Sequence, residues 1–124
     1  MSHLVLRAYL KLIYFELFLI RRDFSRLYQK VSGYPLGRAP NFPDPVDKLC
    51  PALDMACIWY PKEVLCLQRS AAAVCLLRSS GVRARLVIGA QPLPFRTHAW
   101  VEVNGRVVTD KPYVREMYAV LDEC

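Results

Sequence analysis

Three residues of this chain have the types and the order that nucleophilic catalysis requires. His98 opens a stretch, THAWVEV, that alternates in polarity like a strand, and Asp110 closes the next stretch, RVVTD. A histidine and a carboxylate at matching ends of a hairpin are two parts of a catalytic triad. Cys66 lies upstream and could supply the third part, a nucleophile.

Each of the three positions has a physical reason behind it. Residues 62–80 are alanine-rich and predict a helix that begins near Cys66 and stops at Gly81. The unpaired N–H groups and the dipole of a helix N-terminus stabilise a thiolate, and the same N–H groups can hold an oxyanion. His98 would take and return protons, while Asp110 would accept from its second ring nitrogen and fix the tautomer.

The turn between the two strands sets a condition on this triad. Asn104-Gly105 is a strong hairpin signal, but a two-residue turn would put His98 and Asp110 on opposite faces of the sheet. They share a face only if one extra residue shifts the pairing. Gly105 in a left-handed conformation suits such a shift. We therefore predict a bulge near Gly105, and an unbulged turn would count against the triad.

Taken one at a time, these residues have ordinary structural explanations. Cys66 alone is more often a buried thiol, His98 a hydrogen-bonded strand histidine, and Asp110 a turn residue. Ser70 is interpreted as a solvated helix position. Trp100 is more often part of the core or of a wall, and we keep it as a candidate substrate-binding residue. The joint order of cysteine, histidine and aspartate is what favours catalysis.

Composition bounds the class of protein. The chain has 124 residues, 54% of them hydrophobic, which predicts one domain with apolar surface to spare for a partner. Its net charge is +6, but the basic residues are dispersed, so nucleic-acid binding is not expected. Charge alone would leave a membrane-surface or acidic-peptide binder, which we rank last.

The cysteine pattern argues against a metal site. None of the five cysteines lies in a zinc-type pair, so neither a metal nor a cofactor is predicted. With no visible secretory signal, we expect a cytoplasmic protein with free thiols. Apart from Cys66, the cysteines are interpreted as small buried apolar residues: Cys50, Cys57, Cys75 and Cys124.

The N-terminal half is predicted to be helical. Residues 1–31 are assigned to one long N-terminal helix, and an amphipathic helix that covers one side of the domain is the favoured interpretation. Its aromatic residues extend round the cylinder, so a docking surface for a partner is the alternative, and a helix lying on a membrane surface ranks after both. The N-terminal helix is too charged for a membrane span. Residues 32–45, with four prolines, form a linker. Asp44 would then cap a helix that begins at Pro45 and runs to about Tyr60.

The C-terminal half is predicted to be a small sheet. Its period changes from 3.6 to 2 after Gly81. Residues 83–90 form a strand, residues 91–96 a proline-containing loop, and residues 117–121 a last edge strand. Helices followed by an antiparallel sheet define an α+β fold, here as a single domain over residues 1–124.

Four short motifs add a family resemblance. The segments CLQRS at 66–70, LVIGA at 86–90, HAWVE at 98–102 and VVTD at 107–110 resemble the lasso peptide biosynthesis B2 proteins. These belong to the transglutaminase-like branch of the papain-like cysteine hydrolases. The resemblance is specific over residues 62–110, and the spacing of the three candidate residues matches the family pattern.

The resemblance implies a role for each residue and a substrate. Cys66 would be the nucleophile, His98 the general base and acid, and Asp110 the orienting carboxylate. The implied activity is proteolytic removal of the leader from a lasso precursor peptide, next to a leader threonine at the position before last. A separate leader-binding B1 protein would deliver the leader, and an ATP-dependent cyclase would act afterwards. The N-terminal helix and linker are candidates for contact with the leader or the B1 protein.

Two other functions remain open at this point. The same triad serves transglutaminase-like acyl transfer, and the sequence shows neither the acceptor pocket nor the exclusion of water that would decide. A catalytically idle module that only binds the precursor is the other reading. The presence of all three residues argues against it, since a binder does not need them.

Overall fold

The computed structural model describes residues 3–38, 44–92, 94–110 and 112–124. Those residues hold five helices and four strands, in the order α1 His3–Ile20, α2 Phe24–Ser32, α3 Pro45–Trp59, α4 Cys66–Ser79, β1 Ala84–Pro92, β2 Phe95–Val103, β3 Arg106–Val107, α5 Val114–Met117 and β4 Ala119–Glu123. The strands form one antiparallel sheet in the order β3-β2-β1-β4. The predicted α+β class, with helices first and an antiparallel sheet after them, is confirmed.

The prediction of a single N-terminal helix is wrong. The helix breaks after Ile20, where Arg22 adopts a left-handed φ of 53°. Asp23 then starts α2, because its side chain accepts a hydrogen bond from the Arg26 N–H. The apolar spacing continues through this break, so periodicity alone hides it. Within the described residues, no helix is both long and apolar enough to cross a membrane.

The predicted linker and the helix after it are only partly as expected. Residues 39–43 of the linker lie outside the described residues, and Ser32 belongs to α2. Pro45 does occupy the first turn of α3, as predicted. Asp44 is left-handed and its side chain makes no capping hydrogen bond, so its predicted capping role is wrong.

Helix α4 lies at the centre of the molecule, between the other helices and the sheet. Ala71, Ala72 and Ala73 are buried, and such short side chains let neighbouring elements approach closely. One hydrophobic cluster joins α1, α2, α3 and α4 to the inner face of β1 and β2, represented by Leu86 and Val101. As predicted, α4 begins at Cys66 and ends before Gly81, whose φ is 82°. Gly81 was foreseen as the stop because glycine adopts this conformation without strain.

The outer face of the sheet carries a second, smaller cluster. Side chains alternate along β2, so Trp100 lies on the face opposite Val101. Trp100 packs there with Val87 and with Val114 of α5. The predicted edge strand is present as β4, which begins two residues later than expected and pairs with β1 at the edge of the sheet. The face that bears Trp100 is therefore also the face of His98.

The connection between β1 and β2 is shorter than predicted. The segment 91–96 was expected to be a loop because it contains two prolines. Instead Gln91 pairs with Arg96 and Pro92 with Phe95, so both strands extend almost to the turn. Pro92 is tolerated because it is the last residue of its strand, where a missing N–H costs little.

The predicted bulge near Gly105 is also wrong. Val103 pairs with Arg106, and Asn104 and Gly105 have φ values of 52° and 76°. These two positive values define an unbulged two-residue turn of the type that right-handed strand twist favours. A bulge is required only if regular pairing continues to Asp110. Since β3 ends at Val107, the turn does not decide which face Asp110 takes.

Thr109 supplies the change of register in place of a bulge. The Val108 N–H donates to the Val101 carbonyl at 3.0 Å, as in a regular ladder. The Val101 N–H, however, donates to Thr109 Oγ1 at 3.1 Å, where a ladder would use the Val108 carbonyl. The hydroxyl thus ends the ladder, and Asp110 turns toward the face of His98.

Replacing Thr109 by valine should therefore destabilise the fold. Valine keeps the shape but removes the acceptor, which leaves the Val101 N–H without its oxygen. We expect Thr109→Val to lower the free energy of unfolding by about 1–3 kcal/mol, as measured by urea denaturation. Thr109→Ser keeps the hydroxyl and should remain much closer to the wild type. Equal stability of the valine variant and the wild type would contradict this role for Thr109.

Candidate active site

His98 and Asp110 are in direct contact. Nε2 of His98 is hydrogen-bonded to Oδ2 of Asp110, and the two side chains are only about a quarter exposed, at 26% and 24%. A carboxylate can only accept, so the proton between them belongs to Nε2. This tautomer leaves Nδ1 of His98 as the ring nitrogen with a lone pair, able to take a proton from a neighbouring group.

The site is built on an edge of β2 that β3 leaves open. Val101 and Val103 turn their backbone groups toward β3, and by alternation Ala99 turns its groups to the same side. No residue of β3 reaches Ala99, since β3 ends at Val107. Ser70 of α4 fills that position, because its hydroxyl donates to the Ala99 carbonyl at 3.1 Å. Ser70 is buried, so its interpretation as a solvated residue is wrong.

The direction of α4 along this edge places Cys66. Near the end of α4, Arg78 donates to the carbonyl of Ala84, which is opposite Val103. Ser70, nearer the start of α4, is opposite Ala99. From its C-terminus to its N-terminus, α4 therefore runs along β2 toward the first residues of that strand. Cys66 lies one turn before Ser70 on the same side of α4, roughly 6 Å further along the helix axis. The N-terminus of α4 therefore points to the part of the edge where His98 lies.

The first turn of α4 is held by α1. Gln68 is buried, and its side-chain N–H donates to the carbonyl of Leu12 at 2.8 Å. In the segment before Cys66, Tyr60 donates to Glu16 at 3.0 Å. These contacts fix where the helix begins. Its capping residue is Leu65, whose side chain cannot bond the N–H groups of the first turn.

Cys66 differs from the other cysteines in its surroundings. It is exposed, whereas Cys75 is buried and the remaining three are half-buried. Burial raises the pKa of Cys50 and of Cys75 to about 11. Burial likewise raises the pKa of Cys57 and of Cys124. Those four groups stay as thiols near neutral pH. Cys75 is buried as predicted, whereas the other three are only half-buried.

The position of Trp100 does not fit the substrate contact predicted for it. Its side chain is fully buried and has no surface to offer a peptide. The indole N–H donates to Glu102 at 2.8 Å, and Glu102 also accepts from Arg115 at 2.8 Å. Burial works against the charge of Glu102, but these hydrogen bonds hold the pKa of its carboxyl below the usual value. Trp100 is thus a wall behind His98.

Sequence reasoning missed several residues that position the site. Gln68 and Ser70 lie within CLQRS, and their spacing from Cys66 on one helix could have found them. Thr109 carries no such signal, because its contact depends on the path that the chain takes after β3. Among the described residues, no group of three or more histidine, cysteine or acidic side chains could hold a metal.

Comparisons with known proteins agree with this architecture. The profile of the Transglutaminase-like superfamily matches residues 9–123. The microcin J25-processing protein McjB of Escherichia coli is 43% identical over 58 residues, which cover 47% of this chain and 28% of that relative. This similarity supports the predicted resemblance to lasso peptide B2 proteins. No solved structure matches significantly. With the family profile extending over nearly its whole length, the chain belongs to the Transglutaminase-like superfamily.

Proposed function

We propose that this chain is a cysteine peptidase that removes the leader from a lasso precursor peptide. The observation that carries the proposal is the His98–Asp110 hydrogen bond beside the open edge of β2. The direction of α4, whose Ser70 bonds to Ala99, supports Cys66 as the exposed thiol nearest that pair. Family membership and the similarity to a microcin-processing protein support the choice of substrate. The reaction needs no cofactor and fits the cytoplasm, where thiols stay reduced.

In the proposed first half-reaction, Nδ1 of His98 takes the proton of the Cys66 thiol, and the thiolate attacks the carbonyl of the scissile peptide bond. Asp110 accepts from Nε2 and stabilises the imidazolium that forms. His98 then gives the proton to the leaving amine as the carbon–nitrogen bond breaks. This releases the core peptide with a free amino terminus and leaves the leader as a thioester on Cys66.

The second half-reaction restores the enzyme. His98 takes a proton from a water molecule, whose oxygen attacks the thioester carbonyl. As the carbon–sulfur bond breaks, His98 gives this proton to Sγ of Cys66, which restores the thiol and the neutral imidazole. The leader leaves as a carboxylic acid. In both halves the N–H groups at the start of α4 would hold the oxyanion, since Leu65 does not occupy them with a side chain. The free amine of the core is the group that an ATP-dependent cyclase would consume next.

We further propose that α1 binds the separate leader-recognition protein. One side of α1 is buried in the core, and the opposite side has large apolar residues that are 41% to 66% exposed, here called the exposed stripe: Leu6, Leu10, Ile13, Leu17 and Ile20. They alternate at intervals of four and three residues, the spacing of a helix–helix seam. A helix that is apolar on both sides is normally covered on both. The exposed stripe is thus our candidate for the docking surface on the N-terminal helix.

The assignment of Cys66 can be tested with the precursor peptide. Incubated with precursor and recognition protein, the wild type should release free leader and free core, detected by mass spectrometry. Cys66→Ala should reduce the cleavage rate by at least about 1,000-fold, since the nucleophile is lost. Cys57→Ala removes a half-buried cysteine of α3 and should cleave like the wild type.

Each other outcome has a defined meaning. Cleavage by Cys66→Ala at the wild-type rate would rule out Cys66 as the nucleophile. Tight leader binding with no cleavage by any variant would favour the idle binding module. With an added primary amine, a leader that ends in an amide instead of a carboxylic acid would show acyl transfer.

The exposed stripe can be tested by binding. The double change Leu10→Glu and Leu17→Glu places two charges in the proposed interface and should raise the Kd for the recognition protein by at least about 10-fold. Isothermal titration calorimetry measures this directly. The control is Leu121→Glu, at a residue of β4 that is 62% exposed but far from α1 in sequence and fold. An unchanged Kd in the double variant would remove α1 from the interface.

A further inference from the structure

Three aromatic rings pack together on the outer face of the sheet. The imidazole of His98 stacks on Tyr118, with centroids 5.4 Å apart and ring planes 30° from parallel. Trp100 lies 6.0 Å from His98 and 6.1 Å from Tyr118. The catalytic candidate therefore has two aromatic neighbours, one from its own strand and one from the C-terminal segment.

A glycine makes room for this cluster. Gly89 of β1 is directly opposite His98 in the sheet. A Cβ at that position would lie 2.7 Å from the ring of Trp100 and 2.8 Å from the Cβ of Tyr118. Such distances are shorter than real contacts, so any side chain there would push the rings apart. The glycine is thus needed for the close approach of the rings, in a strand where glycine otherwise weakens pairing.

The buried carboxylate of Glu102 fixes both Trp100 and the segment that carries Tyr118, through its indole and guanidinium partners. Glu102 holds the indole N–H of Trp100 and also the guanidinium of Arg115, each at 2.8 Å. Arg115 belongs to α5, three residues before Tyr118. Arg115 also donates to Glu123 of β4 at 3.1 Å. The helix before Tyr118 and the strand after it are therefore both fastened to the sheet.

We propose that Tyr118 is a positioning residue for the reaction. It holds the imidazole of His98 in the orientation in which Nε2 bonds to Asp110 and Nδ1 is available to Cys66. This inference rests on the proposed function. Rotation of the imidazole about its bond to Cβ would move Nε2 away from Asp110. A ring stacked on one face of the imidazole, with Trp100 beside it, restricts that rotation. The aromatic face also attracts the imidazolium that forms during proton transfer.

The stacking, and not the hydroxyl, is what this role requires. Tyr118→Phe keeps the ring and should retain kcat within about threefold of the wild type. Tyr118→Leu removes the ring and should lower kcat about 10- to 100-fold with KM little changed, because misorientation of a catalytic group slows chemistry without weakening peptide binding. The neighbouring control is Met117→Ala, at an exposed residue of α5, which should have normal kinetics.

A second measurement does not depend on activity. The chain has two histidines, so long-range ¹H–¹⁵N correlation spectra of the imidazoles can be assigned. In the wild type and in Tyr118→Phe the proton of His98 should lie on Nε2. In Tyr118→Leu the signals should shift toward a mixture of the two tautomers. If the wild type cleaves no precursor, the proposed function fails, while these spectra still decide the present inference.

Several results would overturn it. A Tyr118→Leu protein with wild-type kcat and one His98 tautomer would show that stacking is irrelevant. A Tyr118→Phe protein as slow as the leucine variant would assign the effect to the hydroxyl. Thermal unfolding checks that each variant is folded. If leucine unfolds the domain, Tyr118→Met refills the volume with an unbranched chain, and the same loss of kcat is expected of it.

Discussion

The open edge of β2 is the feature on which the candidate site depends. A full-length neighbour would occupy the backbone of Ala99 and keep α4 away from the strand. Because the ladder ends beside Val101, Ser70 can bond to Ala99 instead, and the N-terminus of α4 comes to the same edge. The segment after β3 brings Asp110 to His98 at this edge. The shortened strand thus leaves room for Ser70 of α4 and for the loop that carries Asp110.

Helix α1 contributes to this arrangement from behind. On its inner side, the Leu12 carbonyl accepts a hydrogen bond from Gln68 of α4. Glu16 accepts one from Tyr60, in the segment that leads to α4. Its outer side is the exposed stripe. A partner bound to that stripe would lie against the same helix that fixes the position of Cys66. On the outer face of the sheet, the C-terminal segment contacts His98 through the ring of Tyr118.

The sequence was sufficient where a local rule determines the structure, and insufficient where distant side chains replace backbone groups. Gly81 predicted the end of α4, since a helix stop at glycine is local. Asp23 carried a capping signal, but the continuing apolar period concealed it. The pairing rules of a hairpin predict a bulge at Gly105 to shift the register. The hydroxyl of Thr109 makes the shift instead, and it could not be predicted because pairing rules consider only backbone groups. Tyr118 could not be found, because its stacking depends on how the tail folds back.

The rate at which Cys66 is alkylated reports whether His98 acts on this thiol. Iodoacetamide reacts with the thiolate, and mass spectrometry of peptides gives a rate for each of the five cysteines. We expect Cys66 to react first near neutral pH in the folded protein. We also expect His98→Ala to slow the alkylation of Cys66 by about 10-fold or more while leaving the rates of the other four cysteines unchanged. Equal rates for Cys66 in the two proteins would show that His98 does not act on this thiol.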